Sequence, residues 1–274
     1  ASDGAIPLLL SIRSGAVASM PGMMDTILNL GINKDVAHHL GNLTKNQKFA
    51  DDTLHRFTES YNKLVGHEGS NLKSQLIFAI KAVIDSWMSP RAVAYRRIHH
   101  ISDEHGTAVN VQAMVFVYMG DTSGTGVLFT RNPSSGKKAL YGEFLLNAQG
   151  EDVVSGIRTP MPISPTKKHP GGSLYETMPA IYHELEKICA LLENHYADMQ
   201  DIEFTIENSQ LYILQTRSGK RTASAAITIA VDMVSEGKIT KEEAISRVDA
   251  ESLGQMLHAS IDPNCTLEAL SQGL

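Results

Sequence analysis

Two hydrophobic patterns divide the chain into strands and helices. An apolar run predicts a core strand at 7–13, and from residue 107 onward apolar residues recur at every second position. That alternation predicts a strand at 107–119, two strands around an "NPSSG" turn, and a hairpin at 201–217. Helical spacing of apolar residues predicts α-helices in the remaining long stretches: 34–66, 72–87, 174–200 and 222–249, the last divided into two helices by a glycine. A further helix is predicted to begin at Ser89 and Pro90, a capping serine followed by a proline suited to the first helical position.

The hairpin "DIEFTIENSQLYILQTR" contains four polar residues that interrupt its apolar alternation: Asp201, Glu203, Gln215 and Arg217. A two-residue turn, Asn208-Ser209, would place Glu203 opposite Leu214. A three-residue turn, 208–210, would place Glu203 opposite Gln215 and Asp201 opposite Arg217. A slip of one residue turns every side chain to the other face, so the register decides which residues meet. We predict the three-residue turn, because it separates an apolar face from one carrying the polar four.

The three-residue turn makes two further pairings on the apolar side of the hairpin. It places Phe204 opposite Leu214 and Ile206 opposite Tyr212. On the polar face, Glu203 and Gln215 offer neighbouring oxygen ligands of the kind that Mg²⁺ prefers. Arg217 beside them can fork onto phosphate oxygens. The alternative is a solvent-facing strand with one cross-strand ion pair, and the hairpin alone leaves both interpretations open.

Two stretches nearer the N-terminus also suggest nucleotide chemistry. "SIRSGAVASMPGMMD" places Arg13 at the end of an apolar strand, before small residues and glycines that suit a loop wrapping phosphates. An ordinary surface loop is the alternative. "NVQAMVF" predicts a buried strand whose Gln112 and Met114 could meet a purine, although Gln112 could equally be a satisfied core amide.

Composition narrows the class of protein. The chain has 274 residues, of which 42% are hydrophobic and 20% charged, and this predicts a globular, soluble protein. A net charge of −6 argues against a nucleic-acid partner, and no apolar run is long enough for a membrane span. Cys189 and Cys265 lack metal-ligand spacing, which predicts a reducing, cytoplasmic location. The first residues resemble neither a signal peptide nor a natural start, so we expect a fragment or a trimmed chain.

Together these stretches resemble the nucleotide-binding part of the pyruvate, phosphate dikinase family, and less closely that of phosphoenolpyruvate synthase. The similarity covers most of residues 6–230. It rests on these segments: "SIRSGAVASMPGMMDTILNLGIN", "SWMSPRAVAYRRI", "GTAVNVQAMVF", "GDTSGTGVLFTRNPSSG", "LYGEFLLNAQGEDVVSGIRTP" and "DMQDIEFTIENSQLYILQTRSGKRTASAA".

The resemblance implies an α+β, ATP-grasp fold with two lobes that clamp ATP. We expect a first lobe at 1–111 with a shortened helical excursion around 34–72, a second lobe at 112–221, and a helical linker at 222–274. The family converts ATP, phosphate and pyruvate to AMP, diphosphate and phosphoenolpyruvate, with Mg²⁺ as cofactor. A histidine on a separate domain carries the phosphoryl group, and full-length members are expected to be homodimers.

Residue roles also follow from the resemblance. Arg13 is similar to the family's nucleotide-phosphate arginine, and residues 19–24 to its mobile phosphate-covering loop, which includes Ser19 and Gly22. Gln112 and Met114 resemble adenine-side positions. The remaining roles belong to the hairpin and are as follows: Glu203 and Gln215 as Mg²⁺ ligands, Arg217 as the partner of the transferred phosphates, and Asp201 as a supporting acid.

The sequence departs from the family pattern in three respects. The family's Gly-Lys-Gly segment, with its phosphate-binding lysine, does not precede Ala1, and neither a phosphohistidine motif nor the phosphoenolpyruvate-binding barrel is present. The family's helical excursion is shortened at 66–71, and we expect residues 66–71 and 168–173 to join pieces that are not adjacent in the natural chain. We therefore expect a catalytic piece that needs its other domains for turnover, and the alternative is a non-catalytic ATP-binding module.

Overall fold

A computed structural model describes residues 7–18, 20–66, 71–116, 122–147, 159–166 and 171–254. It combines α-helices with antiparallel strand pairs, which confirms the α+β class. The chain forms two compact units, Ala1–Gly124 and Thr125–Leu274. Gln112, where we predicted the second lobe to begin, pairs with Ser11 on a strand of the first unit, and the lobe bounds stay a prediction. None of the described helices is both long and apolar enough to cross a membrane.

The first unit is a three-stranded antiparallel sheet covered by helices. Its strands are β1 (Leu10–Gly15), β2 (Thr26–Leu30) and β3 (Ala108–Ala113), in the order β2-β1-β3. Its helices are α1 (Lys34–Thr44), α2 (Gln47–Val65), α3 (Leu72–Asp85) and α4 (Pro90–Ile98), with 3₁₀ turns at Ser86–Met88 and Asp103–His105. The core lies between the sheet and helices α1 to α3.

The single helix predicted at 34–66 is two helices. Lys45 ends α1 in the left-handed conformation, with φ of 52°, and the side chain of Asn46 then caps α2 by accepting from the Phe49 N–H. The helix predicted at 174–200 is also interrupted: a short helix ends at Thr177, and Pro179 begins a new helix directly after Met178. The predicted start at Ser89 and Pro90 is confirmed.

Strand β3 is less buried than the sequence predicted. Among the described strands it pairs only with β1, so it lies at the sheet edge, and the Val111 side chain is 45% exposed. The prediction of a buried strand here is therefore wrong. An alternating apolar pattern does not distinguish a central strand from an edge strand, because the order of strands depends on contacts distant in sequence.

The second unit contains a five-stranded sheet in the order β6-β5-β4-β7-β8. Its strands are β4 (Gly124–Phe129), β5 (Tyr141–Leu146), β6 (Met161–Pro162), β7 (Gln200–Glu207) and β8 (Gln210–Ser218). The described helices are α5 (Leu174–Thr177), α6 (Pro179–Tyr196), α7 (Ala223–Ser235), α8 (Lys241–Arg247) and α9 (Ala250–Leu253). Helix α6 packs on the sheet through Leu185 and Cys189, and α7 packs on Met199 in a separate apolar cluster.

The β7–β8 hairpin uses two registers. At its tip a two-residue turn, Asn208-Ser209, has positive φ at both residues (49° and 62°), as type I′ hairpin turns require. The predicted three-residue turn is therefore wrong, and Phe204 pairs with Ile213, not with Leu214. Leu214 is an extra residue on β8, and this bulge shifts the register between Phe204 and Glu203.

Beyond the bulge the predicted pairing is present. Glu203 lies opposite Gln215, and Asp201 lies opposite Arg217. The predicted pair of Ile206 with Tyr212 falls in the tip half and is wrong, since Ile206 faces Leu211. The predicted register thus holds for the polar end of the hairpin and fails for the tip.

Candidate functional site

The polar end of the β7–β8 hairpin forms the densest cluster of candidate residues. The Arg217 Nη2 donates to the Glu203 Oε1 at 2.7 Å and lies 3.3 Å from the Asp201 Oδ2. These three side chains are between 22% and 27% exposed, so they are sheltered but reachable. The Arg217 Nε is buried without a hydrogen-bond partner among the described residues. The hairpin therefore brings two carboxylates, one amide and one guanidinium onto one face.

The electrostatics of this face favour cations. Burial raises the pKa of the Asp201 carboxyl; Arg217 opposes this shift, and the nearby charge of Glu203 adds to it. Asp201 and Glu203 both contact the Arg217 guanidinium, and their carboxylates repel each other when both are ionised. A divalent cation bound between them would relieve this repulsion.

The donor set on this face fits Mg²⁺. Glu203 and Gln215 are directly opposed across the strand pair, so a carboxylate and an amide oxygen project side by side. Mg²⁺ typically takes one or two protein oxygens and fills its remaining positions with water and phosphate oxygens. No group of three or more His, Cys, Asp or Glu residues with metal-binding geometry occurs in the described ranges. Glu203 and Gln215 thus supply two protein oxygens of the kind that Mg²⁺ takes.

In the first unit, the polar side of the sheet carries Arg13. Arg13 pairs with Thr26 on β2 and with Asn110 on β3, and Ser11 pairs with Gln112. Paired residues in antiparallel strands point to the same side, so Arg13 and Gln112 lie on one sheet face. Ile12, which points to the opposite side, is fully buried in the core.

Met114 follows β3 and is anchored to the first unit. Its N–H donates to the Leu9 carbonyl at 2.8 Å, and its side chain packs against the apolar core. An adenine-side role for Gln112 and Met114 stays a prediction.

The loop after β1 contains a turn that requires glycine. The Met23 N–H donates to the Met20 carbonyl at 3.1 Å, with Pro21 second in the turn and Gly22 third at φ of 69°. This combination defines a type II turn, in which the third residue needs a positive φ. Gly22 is therefore placed for the backbone conformation of the loop, while Ser19 lies outside the described residues.

The methionines of this loop have an apolar surface to cover. Met20, Met23 and Met24 pack with Trp87 and Ala92 in a small cluster. Asp25 pairs with Arg91, whose Nε also donates to the Met23 carbonyl at 3.1 Å. The predicted phosphate-covering loop is thus held against α4 and the 3₁₀ turn before it.

A buried ion network lies in the second unit and was missed by sequence reasoning. Arg131 is fully buried and forks onto Glu193 through its Nε at 2.8 Å and Nη2 at 2.9 Å. The same Nη2 donates to Glu236 at 2.9 Å, and Lys238 contacts Glu193 at 2.5 Å. The sequence signal for it was slight: a charged residue, Arg131, two positions after the end of the apolar strand β4.

Two carboxyl groups of this network have shifted pKa values. Burial raises the pKa of Glu193, but hydrogen bonds from Arg131 and Lys238 outweigh it and the pKa is lowered. For Glu236, burial acts in the same upward direction, and hydrogen bonds from Lys138, Arg131 and Lys238 lower the pKa to about 2. The network therefore stabilises the folded state through ionised carboxylates.

Cys189 carries no reactive chemistry. Its side chain is buried and forms no disulfide. Burial, followed by the charges of Glu193 and Glu186, raises the pKa of the thiol to about 12. The thiolate is the reactive form of cysteine, so this residue acts as a small apolar core residue.

Comparison with known proteins gives a consistent result. A family model described as "Pyruvate phosphate dikinase, AMP/ATP-binding domain" matches residues 2–179 and 165–238. A pyruvate, phosphate dikinase of Rhizobium meliloti (strain 1021) is 49% identical over 320 residues, which cover 98% of this chain and 36% of the relative.

Two other relatives have similar sequence identities and coverages. The enzyme of Clostridium symbiosum is 46% identical over 94% of this chain and 34% of the relative. A chloroplastic pyruvate, phosphate dikinase 1 of Arabidopsis thaliana is 46% identical over 96% of this chain and 32% of the relative. The chain thus spans about a third of the length of the curated relatives it matches.

Proposed function

The chain belongs to the pyruvate, phosphate dikinase AMP/ATP-binding domain family, and from that membership we propose that it is the ATP-grasp part of such a dikinase. In this role it binds Mg-ATP and passes a phosphoryl group to a histidine on another domain. The observation that carries the proposal is the polar end of the β7–β8 hairpin, where Asp201, Glu203, Gln215 and Arg217 share one face.

The residues of that face divide the work of phosphoryl transfer. Arg217 would fork onto the phosphate oxygens, since a guanidinium matches their geometry and remains charged. Glu203 and Gln215 would hold Mg²⁺, which neutralises charge on the phosphates when bound. Asp201, opposite Arg217, would keep the guanidinium oriented until the nucleotide arrives.

The first unit would supply the remaining contacts with the nucleotide. Arg13 is proposed to bind phosphate oxygens, and the loop that contains Ser19 and Gly22 is proposed to cover them. Gln112 and Met114 are proposed to border the adenine. The polar sheet face that Arg13 and Gln112 share supports this assignment.

The complete reaction needs more than this chain. We propose that the whole enzyme converts ATP, phosphate and pyruvate to AMP, diphosphate and phosphoenolpyruvate; the relatives are named as pyruvate, phosphate dikinases. The phosphohistidine and pyruvate-binding domains would belong to the same full-length chain. A homodimer in the cytoplasm completes the proposal. Its compartment rests on the two cysteines of the sequence, neither with metal-ligand spacing.

Calorimetry of Mg-ATP binding tests the site directly. The wild-type chain should bind, and Arg217→Ala or Glu203→Ala should weaken binding at least tenfold, or about 1.4 kcal/mol. Glu207→Ala is the matched control, because Glu207 lies on the same face of β7 but at the tip of the hairpin. That variant should bind within about twofold of wild type, a factor well below a kcal/mol.

The results distinguish a wrongly placed site from an incomplete site. If wild type binds and all three variants bind equally well, the hairpin is not the phosphate site. If wild type does not bind, this chain is an incomplete site. Arg217→Lys adds detail, since it keeps the charge and loses the fork, and binding between that of wild type and Arg217→Ala is expected.

A further inference from the structure

We propose that Gln200 and Thr216 are positioning residues that hold the polar end of the β7–β8 hairpin in the register seen there. They place Arg217 opposite Asp201 and Gln215 opposite Glu203 without contacting a ligand themselves. The effect on Mg-ATP binding rests on the proposed function. The effect on strand register rests on the geometry of the hairpin alone.

The polar end needs a stabilising interaction because the two-residue turn favours a different strand register. From the two-residue turn, pairing runs Glu207 with Gln210 and continues to Phe204 with Ile213. Carried one step further, this register would pair Glu203 with Leu214 and turn the side chain of Arg217 toward the opposite face. The bulge at Leu214 prevents this, and an interaction at the open end must favour the bulged arrangement.

Gln200 supplies that interaction from the first position of β7. Its side chain is 2% exposed, and every polar group it carries has a partner. The Nε2 donates to the carbonyls of Asp198 at 3.1 Å and Met199 at 3.2 Å. The Oε1 accepts from the Thr216 Oγ1 at 3.0 Å. Thr216, which donates this cross-strand hydrogen bond, directly precedes Arg217.

The backbone of Gln200 is fixed to the neighbouring strand. Its N–H donates to the Thr130 Oγ1 at 3.0 Å, and its carbonyl accepts from the Thr130 N–H at 3.0 Å. The Thr130 hydroxyl in turn donates to the buried Glu193 at 3.0 Å. Gln200 is therefore a fixed point, and the bond from Thr216 sets the position of β8 relative to it.

A slip would leave this fixed point unsatisfied. If β8 moved by one residue, Thr216 would point to the other face and the Gln200 Oε1 would be buried without a donor. Such a loss costs more than breaking an exposed hydrogen bond, because water cannot replace the partner. The Gln200–Thr216 bond thus opposes the register that the turn would otherwise extend.

Threonine substitutions on the two strands test the inference. Thr216→Val removes the hydroxyl at constant shape, and Thr216→Ser retains it. Thr205→Val is the matched control: Thr205 is 4% exposed on β7, and its hydroxyl donates to the Thr125 Oγ1 at 3.3 Å in the tip half. Each variant is measured by Mg-ATP calorimetry and by amide hydrogen exchange over residues 200–218.

The expected pattern is specific to position. Thr216→Val should weaken Mg-ATP binding about tenfold and speed exchange in 213–218 but not in 204–211. Thr216→Ser should restore both, and Thr205→Val should leave binding and exchange in 213–218 unchanged. Equal effects of Thr216→Val and Thr205→Val, or no effect of Thr216→Val on exchange, would overturn the inference.

A failure of the proposed function gives a different result. If wild type does not bind Mg-ATP, this chain is an incomplete site, and the exchange data still decide the register. Faster exchange confined to 213–218 in Thr216→Val supports the positioning role, and unchanged exchange removes it.

Discussion

Replacing Arg131 by methionine should destabilise the chain by about 3 kcal/mol, at the lower end of the range for breaking a buried ion pair. Arg131 is fully buried and its guanidinium holds Glu193 by two hydrogen bonds, at 2.8 and 2.9 Å. The substitution leaves Glu193, itself only 3% exposed, with less compensation for its charge. The methionine fills much of the vacated volume, so loss of charge pairing dominates over loss of packing.

The expected loss of stability lies below the upper limit for breaking a buried ion pair. Glu193 keeps two partners after the substitution, Lys238 at 2.5 Å and the Thr130 hydroxyl at 3.0 Å. The negative charge of Glu193 therefore has fewer partners after the substitution, but it is not left unpaired. Glu236 is partly exposed and keeps Lys138 at 2.8 Å, so its share of the loss is small.

A double substitution distinguishes lost pairing from lost packing. Arg131→Met combined with Glu193→Leu should regain a large part of the stability, because apolar replacements of a buried pair avoid its desolvation cost. Urea unfolding followed by far-UV circular dichroism gives each midpoint. Fluorescence of the single tryptophan, Trp87, checks whether one transition describes the chain.

Two results would refute this reasoning. A loss below about 1 kcal/mol for Arg131→Met would mean that the network contributes no more than a surface ion pair. A double variant less stable than Arg131→Met alone would mean that Glu193 is stabilising without its arginine.

Two further predictions concern the turn and the acid range. Ser209→Gly should stabilise the chain by about 0.5–1 kcal/mol, because Ser209 holds a φ of 62° that glycine adopts without strain; an unchanged urea midpoint would contradict this. The Glu236 pKa, lowered to about 2 from 4.5, predicts a stabilising contribution present above pH 4.5 and lost as pH falls through 2. The midpoint difference between wild type and Glu236→Gln should therefore shrink across that window, and an equal difference at pH 6 and pH 2.5 would count against it.

The sequence was sufficient to predict which polar residues share the hairpin face. Charged and amide side chains are costly among apolar neighbours, so the pairing of Glu203 with Gln215 followed from sorting residues by polarity. The turn could not be predicted in the same way. Asn208 and Ser209 suit a two-residue turn, and that preference conflicted with the polar pairing. The bulge at Leu214 allows both the two-residue turn and the polar pairing, and no residue pattern in β8 predicts it.

Other features depended on contacts distant in sequence. The ion network of Arg131 could not be predicted from local sequence, because its partners Glu193 and Glu236 lie 62 and 105 residues away. The edge position of β3 is likewise set by which strands meet it, and not by its own alternation. Local signals did better at helix ends: Ser89 and Pro90 were recognised, whereas the left-handed Lys45 carries no signal of its own.

The bulge at Leu214 also makes the hairpin tolerant of changes in length at its tip. Removing one residue from the tip half of β8, such as Gln210, would let the Asn208-Ser209 turn and the pairing seen beyond the bulge share one register, with Leu214 no longer in excess. Lineages can therefore vary the tip, or an engineer can insert a reporter there, while Glu203 keeps Gln215 as its neighbour. The two ends of one hairpin can in this way evolve at different rates.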